Sequence, residues 1–151
     1  MDSKLSSQRE RILLTFVFMS KQDTGKAGEK QVKSWMESHG YILLEENYRF
    51  GPNEIDLVAL EGNELVFAEV KTRTPPIQDW PERFVSKGQQ QRYFKVADAF
   101  VYEKKMVQWP VRFDIFSVLI YPEGKIEIEH FRDAFGKDDT LQQDIGYWEE
   151  Y

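Results

Sequence analysis

Hydrophobic and polar positions along the middle of the chain predict five strands and two helices. Short runs rich in β-branched and aromatic residues, bounded by glycine, asparagine and proline, predict strands over residues 41–50, 55–60, 64–71, 111–121 and 125–131. Two longer segments with helical spacing predict helices, one running from Thr24 as N-cap to Gly40 and one over residues 86–105. The order α-β-β-β-α-β-β predicts an α/β fold with one mixed β-sheet flanked by helices.

The turn at Gly62-Asn63 predicts how the second and third strands pair. A Gly-Asn dipeptide between two apolar runs is typical of a two-residue hairpin. Counting outward from this turn gives four pairs: Glu61 with Glu64, Leu60 with Leu65, Asp56 with Glu69, and Glu54 with Lys71. Because side chains alternate along a strand, the last two pairs place four ionisable groups on one face of the sheet.

Directly opposed carboxylates on one sheet face repel each other unless a cation compensates. Mg²⁺ and Mn²⁺ bind carboxylate oxygens, so a divalent ion between Asp56 and Glu69 would remove the repulsion. Lys71 would lie beside that ion, where it orients or deprotonates a water or neutralises a phosphate. A second interpretation stays open, in which both acids are solvated and Lys71 forms an ordinary surface ion pair.

The first helix supplies a further acid. Glu29 lies close to Val32 and Met36 on the helical stripe that is predicted to face the sheet. An acid on such a stripe is costly unless it is paired or bound to a metal. Gly25 and Gly28, on the same side, predict a close approach of helix and sheet. The helix dipole alone also favours an acid near a helix start, so a purely structural role for Glu29 stays open.

Composition and charge restrict the chemistry. The chain has no cysteine, which excludes disulfides and thiolate metal sites and fits a reducing cytoplasm. The net charge of −6 weighs against a nucleic-acid partner, but residues 133–151 alone carry −5. Residues 24–132 hold 15 bases and 17 acids, so a local basic surface remains compatible with the composition.

The two ends of the chain lie outside the strand and helix pattern. Residues 1–23 contain an apolar run that is too short to span a bilayer and lacks a small-residue cleavage site, so we expect a packed N-terminal extension. Residues 136–151 form an acidic tail, in which Trp148 and Tyr151 suggest a docking segment. Its acidity suggests, as an alternative, that it covers the basic surface. Residues 24–135 are the predicted globular domain.

Several short motifs resemble those of one family of small bacterial proteins. GKAGE, NYRF, NEIDLVA, LVFAEVKTR and RFDI follow each other in the order and spacing of the YraN-like (UPF0102) family, over roughly residues 24–135. That family is similar to archaeal Holliday junction resolvases within the PD-(D/E)xK nuclease superfamily. The superfamily signature is an acid on the first helix, an Asp starting a strand, and Glu-x-Lys on the next strand. The resemblance implies a restriction-endonuclease-like core and endonuclease cleavage of structured or branched DNA that depends on Mg²⁺ or Mn²⁺.

The resemblance also implies roles for individual residues. Glu29, Asp56 and Glu69 match the metal-binding acids, Lys71 matches the catalytic lysine, and Glu54 matches an accessory acid of the family. The polar helix that faces the scissile phosphate in related nucleases is matched by Lys87, Gln90, Gln91 and Arg92, and which glutamine points inward stays open.

Partners and location follow from the same interpretation. Arg49 and Arg73 flank the hairpin and are candidates for phosphate contacts with DNA that has branched or single-stranded regions. A homodimer is expected by analogy with junction resolvases, because symmetric cutting of two strands needs two sites. We expect a cytoplasmic protein without a membrane partner. The alternative is a non-catalytic nucleic-acid-binding module on a nuclease fold.

Overall fold

Five strands and two helices make up the part of the computed structural model that is described, residues 20–76 and 85–137. Along the chain these are α1 (Lys21–Ser38), β1 (Ile42–Phe50), β2 (Asn53–Glu61), β3 (Glu64–Arg73), α2 (Lys87–Glu103), β4 (Val111–Ile120) and β5 (Ile126–Phe135). The strands form one sheet in the order β1-β2-β3-β4-β5, and only β3 and β4 pair in parallel. The predicted α/β fold is confirmed, and it is the architecture of a restriction-endonuclease-like core.

The predictions for the ends of the chain concern residues outside this description. These are the packing of the N-terminal extension, residues 1–19, and the role of the acidic tail, residues 138–151.

The start of α1 differs from the prediction. Ser20, not Thr24, is the N-cap, and its side chain accepts a hydrogen bond from the Asp23 backbone N–H at 3.1 Å. The Asp23 carboxylate accepts a hydrogen bond from the Ser20 backbone N–H at 3.4 Å, which completes a capping box. The Thr24 hydroxyl instead donates to the Ser20 carbonyl at 3.1 Å, as a residue inside the first turn. The prediction was wrong because it overlooked the acid three residues after Ser20.

The core is divided into two layers by the alternation of side chains along the strands. On the α2 side, Phe67 and Phe113 pack against Phe100 and its helical neighbours. On the α1 side, Val32 and Met36 are fully buried in the layer that holds Phe116. Each such side chain contributes about 1.5–3 kcal/mol on burial. The two layers therefore hold one helix against each face of the sheet.

Helix α1 approaches the sheet closely at one turn. A Cβ atom added at Gly28 would lie 1.7 Å from Thr72 Oγ1 of β3, so only glycine fits there. The same close approach was predicted at Gly25, and this was wrong, because no atom lies within 4 Å of a Cβ built there. The close approach at Gly28 lies directly before Glu29.

The hairpin has the predicted turn and, near the turn, the predicted register. Gly62 has a φ of +58° and Asn63 is not in the left-handed region, the pattern of a type II′ turn with glycine first. The pairs Glu61–Glu64 and Leu60–Leu65 are confirmed, and the pairing continues regularly to Leu57–Ala68. Beyond that pair the two predicted backbone pairs do not form, for a reason that lies in Asp56.

Candidate active site

Strands β2 and β3 stop pairing at Asp56. One oxygen of its carboxylate accepts a hydrogen bond from the Val70 backbone N–H at 2.8 Å, so a side chain takes the donor that the next ladder bond would use. Ile55 packs in the α2 layer and Leu57 in the α1 layer, although residues two apart on a regular strand share a face. Strand β2 is therefore irregular at Asp56.

The two predicted ionisable pairs are consequently not backbone pairs. The backbone pairing of β2 with β3 ends at Leu57 and Ala68, so neither Glu54 and Lys71 nor Asp56 and Glu69 are backbone partners. On its other side, Glu54 pairs with Arg49 of β1. The side chains of Asp56 and Glu69 nevertheless contact each other across the gap. Where the strands separate, side-chain contacts of Asp56 replace the regular backbone ladder.

Four of the sequence-predicted site residues meet at this gap. Glu29 reaches Asp56 from α1, and Asp56 in turn contacts Glu69 of β3. Lys71 follows Glu69 on the same strand, and its Nζ lies 3.5 Å from Glu69 Oε1. An acid from each of three elements, with one ammonium group, thus surrounds the point where the two strands separate.

Burial raises the pKa of all three acids, and repulsion between carboxylates adds to this for Glu29 and Asp56. Burial is the main cause that raises the pKa of Asp56 to about 7, and the charge of Glu69 adds to it. Burial also raises the pKa of Glu29 to about 7, with the charge of Asp56 as the next cause. The pKa of Glu69 is raised by burial despite the opposing charge of Lys71. Full ionisation of this cluster is unfavourable unless a cation joins it.

Two residues that the sequence reasoning did not include also reach the cluster. Tyr93 of α2 is 8% exposed and lies in polar contact with Glu69. Asn47 of β1 lies in polar contact with Glu29 and has a left-handed φ of +49°. Tyr93 was not predicted as a site residue, because its position in the helical pattern is that of an aromatic residue in the core. An asparagine inside a strand was the available signal for Asn47, since asparagine tolerates the left-handed region.

Arg49 and Glu54 lie at the rim of the cluster. They pair across β1 and β2, with Arg49 Nη2 2.7 Å from Glu54 Oε2. The charge of Glu54 contributes to the raised pKa of both Glu29 and Asp56. Glu54 therefore acts on the cluster through its charge, and Arg49 partly balances that charge.

The predicted nucleic-acid residues at the start of α2 divide into inward and outward groups. Gln90 is half-buried and its side-chain amide donates to the Val85 carbonyl at 2.9 Å, so it is the less exposed of the two glutamines. Lys87, Gln91 and Arg92 are exposed. Arg73 is half-buried at the end of β3.

The donor set of the cluster suits a hard divalent ion, since Glu29, Asp56 and Glu69 offer only carboxylate oxygens. Within residues 20–76 and 85–137, however, no group of three or more histidine, aspartate and glutamate side chains is arranged to hold a metal ion. Coordination by all three acids would therefore require rotation of at least one side chain.

A second cluster of ionisable groups, at the turn end of the hairpin, is structural. Arg112 makes two bonds to Asp114, at 2.8 and 2.9 Å, and both residues are buried. Arg112 also reaches Glu61 at 3.2 Å. His130 lies 2.8 Å from Asp114 through Nε2 and stacks on Phe116. Each group has a partner, as buried charges require.

Fold and site together define a small α/β protein in which a restriction-endonuclease-like core carries a half-buried acid cluster. The chain belongs to the UPF0102 family, because the model of that family, described as "Uncharacterised protein family UPF0102", matches residues 28–118. It is 40% identical over 113 residues to a UPF0102 protein of Bacteroides thetaiotaomicron. The aligned residues make up 75% of this chain and 92% of the relative.

Two further relatives carry the same family name. A UPF0102 protein of Syntrophus aciditrophicus is 38% identical over 112 residues, 74% of this chain and 87% of the relative. One from Dictyoglomus turgidum is 36% identical over 118 residues, 78% of this chain and all of the relative. The resemblance to the YraN-like (UPF0102) family is confirmed. Neither helix in the described ranges has the length and apolar character needed to span a membrane.

Proposed function

We propose that this protein is a divalent-metal-dependent endonuclease that hydrolyses the phosphodiester backbone of structured or branched DNA. The observation that carries the proposal is the meeting of Glu29, Asp56, Glu69 and Lys71 at the gap between β2 and β3. Half-buried acids that repel one another are costly in a structural role, and they have a use where a divalent cation must be held.

Each residue of the cluster has a role in this chemistry. Asp56, fixed by the Val70 N–H, and Glu69 offer the central carboxylates for Mg²⁺ or Mn²⁺, and Glu29 closes the set from α1. When bound, a divalent ion promotes ionisation of water and stabilises charge on the leaving oxygen. Lys71 orients the attacking water or neutralises the phosphate. Tyr93 holds the Glu69 carboxylate in position.

The substrate part of the proposal rests on the exposed polar surface and the resemblance to junction resolvases. Lys87, Gln91 and Arg92 at the start of α2 face solvent near Tyr93 and contact backbone phosphates. A homodimer supplies the second site that symmetric cutting of a junction needs. A cytoplasmic location, where DNA is accessible in bacteria, completes the proposal.

Cleavage assays on the full-length protein test this function. End-labelled four-way junction, flap, single-stranded and duplex DNA are incubated with EDTA, Mg²⁺ or Mn²⁺. We expect cleavage of branched DNA with either metal and none with EDTA. Asp56→Asn and Lys71→Met should each slow cleavage by about 100-fold or more, as loss of a catalytic group does.

Matched controls come from the exposed face of α1. Glu37→Gln and Lys30→Met remove the same charges from solvated positions and should leave cleavage unchanged. Cleavage that persists in EDTA, or that survives both site substitutions, would contradict the proposal.

A non-catalytic nucleic-acid-binding module is the second candidate. It is favoured by the described residues' lack of a group already arranged to hold a metal. In that case the protein binds DNA with a salt-dependent affinity but cuts none of the substrates with any metal. Asp56→Asn would then leave affinity unchanged or raise it, since it removes a negative charge.

A further inference from the structure

A partly apolar groove of about 470 Å³ lies between α2 and β1, on the same side of the sheet as Tyr93. Phe50 and Tyr102 line it and are 52% and 83% exposed. Lys95 lines it as well, and among the described side chains none forms an ion pair with it. Exposed aromatic rings beside a free cation are the features of a docking surface for an acidic, aromatic segment.

The described chain ends beside this groove. Lys137, its last residue, places its Nζ 2.8 Å from Asp98 Oδ1 and over the ring of Phe94. Asp98 itself lines the groove. Asp98 and Tyr102 are one helical turn apart, about 6 Å along the axis. The fourteen residues that follow Lys137 can span up to about 48 Å when extended, so the whole groove is within their reach.

The chemistry of residues 138–151 complements the groove. The segment holds five acids and no base, and it ends in a cluster of aromatic residues, Tyr147, Trp148 and Tyr151. Two acids, Asp98 and Glu103, also line the groove, and a cation lies beside each, with Lys104 Nζ 3.9 Å from Glu103 Oε1. Asp98 is paired with Lys137, and Glu103 accepts a hydrogen bond from Tyr48.

We propose that residues 138–151 dock into the groove of their own chain, with the aromatic residues on Phe50 and Tyr102 and the acids facing Lys95 and Arg92. Arg92 also belongs to the surface assigned above to DNA. The docked segment therefore competes with phosphate at the start of α2. The competition rests on the proposed function, whereas the docking does not.

The absence of cysteine makes a disulfide test of docking direct. Ala99 lines the groove, and Gly146 directly precedes the aromatic cluster, so the full-length Ala99→Cys/Gly146→Cys variant joins them. A matched Lys30→Cys/Gly146→Cys variant places the first cysteine on exposed α1, against the other face of the sheet. We expect the intramolecular disulfide to form at least about tenfold faster in the first variant, because docking raises the effective concentration.

Removal of the aromatic side chains that line the groove is the second test of docking. Adding Phe50→Ser and Tyr102→Ser to the Ala99→Cys/Gly146→Cys variant should slow disulfide formation to the rate of the α1 pair. Equal rates for the two cysteine pairs, or no effect of the serine substitutions, would overturn the docking.

DNA affinity tests the competition separately. Asp144→Asn/Glu149→Gln should raise affinity for single-stranded DNA by about tenfold at low salt. The control Glu37→Gln/Glu123→Gln removes two exposed acids elsewhere and should have a clearly smaller effect. Rapid disulfide formation in a protein that binds no DNA leaves docking intact and defeats the proposed function. Cleavage of DNA without a groove-specific disulfide defeats docking alone.

Discussion

The Asp56 carboxylate accepts a hydrogen bond from the Val70 backbone N–H at 2.8 Å, where β2 and β3 cease to pair. A backbone donor thereby fixes a half-buried acid between Glu29 and Glu69. The position of the carboxylate is set by the sheet, while its charge is opposed by its neighbours. Position and charge can therefore be separated experimentally.

Asp56→Asn keeps an oxygen for the Val70 N–H but removes the charge. The pKa of Asp56 is raised from 3.8 to about 7, so its ionisation destabilises the folded protein increasingly between those pH values. In EDTA at pH 8 we expect the variant to be more stable than the parent by about 2 kcal/mol. Near pH 3.5 the two should be equal. Urea unfolding at both pH values measures this, and equal stability at pH 8 would refute it.

Tyr93→Phe removes the hydroxyl that contacts Glu69 and leaves the buried ring. We expect cleavage to slow by about tenfold, with a change in the free energy of unfolding of about 1 kcal/mol or less. The metal concentration for half-maximal cleavage should rise, because Glu69 loses a positioning contact. Tyr48→Phe removes a hydroxyl bonded to Glu103, outside the acid cluster, and should leave this concentration unchanged.

Gly28→Ala and Gly25→Ala should change stability in opposite directions. A Cβ at Gly28 would meet Thr72 Oγ1 at 1.7 Å, and we expect a loss of about 2–3 kcal/mol from the forced displacement. A Cβ at Gly25 meets nothing within 4 Å, so alanine's helix propensity should add about 0.5–1 kcal/mol. Thermal and urea unfolding of the two variants decide this. Similar effects would show that α1 is not held against β3 as described.

Asp114→Asn should be strongly destabilising. Asp114 is 1% exposed and is bonded to Arg112, which is 4% exposed, so the substitution leaves a buried guanidinium without its main counter-charge. We expect a loss of about 3–5 kcal/mol. Glu64→Gln alters a more exposed partner of the same arginine, 3.4 Å away, and should cost less than about 1 kcal/mol. Comparable losses in urea unfolding would contradict the ranking.

Glu61 should contribute to acid unfolding. Burial alone would raise its pKa, but bonds with Tyr41, Arg112 and Arg132 outweigh it and lower the pKa to about 2. A carboxylate with a lowered pKa stabilises the folded state above its unfolded pKa, near 4.5, and this stability is lost as pH falls toward 2. Glu61→Gln should therefore flatten the fall in stability between pH 4.5 and pH 2. An unchanged slope in a pH series of urea unfolding would count against this.

The register of the hairpin was predictable from the sequence only as far as backbone pairing governs it. The two-residue turn determined the pairs out to Leu57–Ala68. The prediction failed at Asp56 because a side chain took a backbone donor, and an alternating pattern carries no information about such a bond. Counting residues outward from the turn predicted that Asp56 and Glu69 lie close together. It did not predict that the strands separate there.

The sequence also did not predict all contacts that other helices and strands make with the acid cluster. The acid of α1 was recognisable from its place on a buried stripe, beside a glycine that proved to touch β3. Tyr93 looked like a core residue because one ring can be both buried and in contact with an acid. Spacing along one helix cannot distinguish these roles. The packing of that helix against the sheet is needed to distinguish them.

Strand β3 has an antiparallel neighbour in β2 and a parallel neighbour in β4. Its hairpin with β2 closes through a two-residue turn, whereas its pairing with β4 must bring together residues nearly fifty positions apart, as for Leu65 and Val111. Closing so long a loop is slow compared with hairpin formation. A nascent chain that has formed only the hairpin brings Asp56 and Glu69 together, but Tyr93 of α2 is not yet in place. The complete cluster therefore forms only when folding is complete.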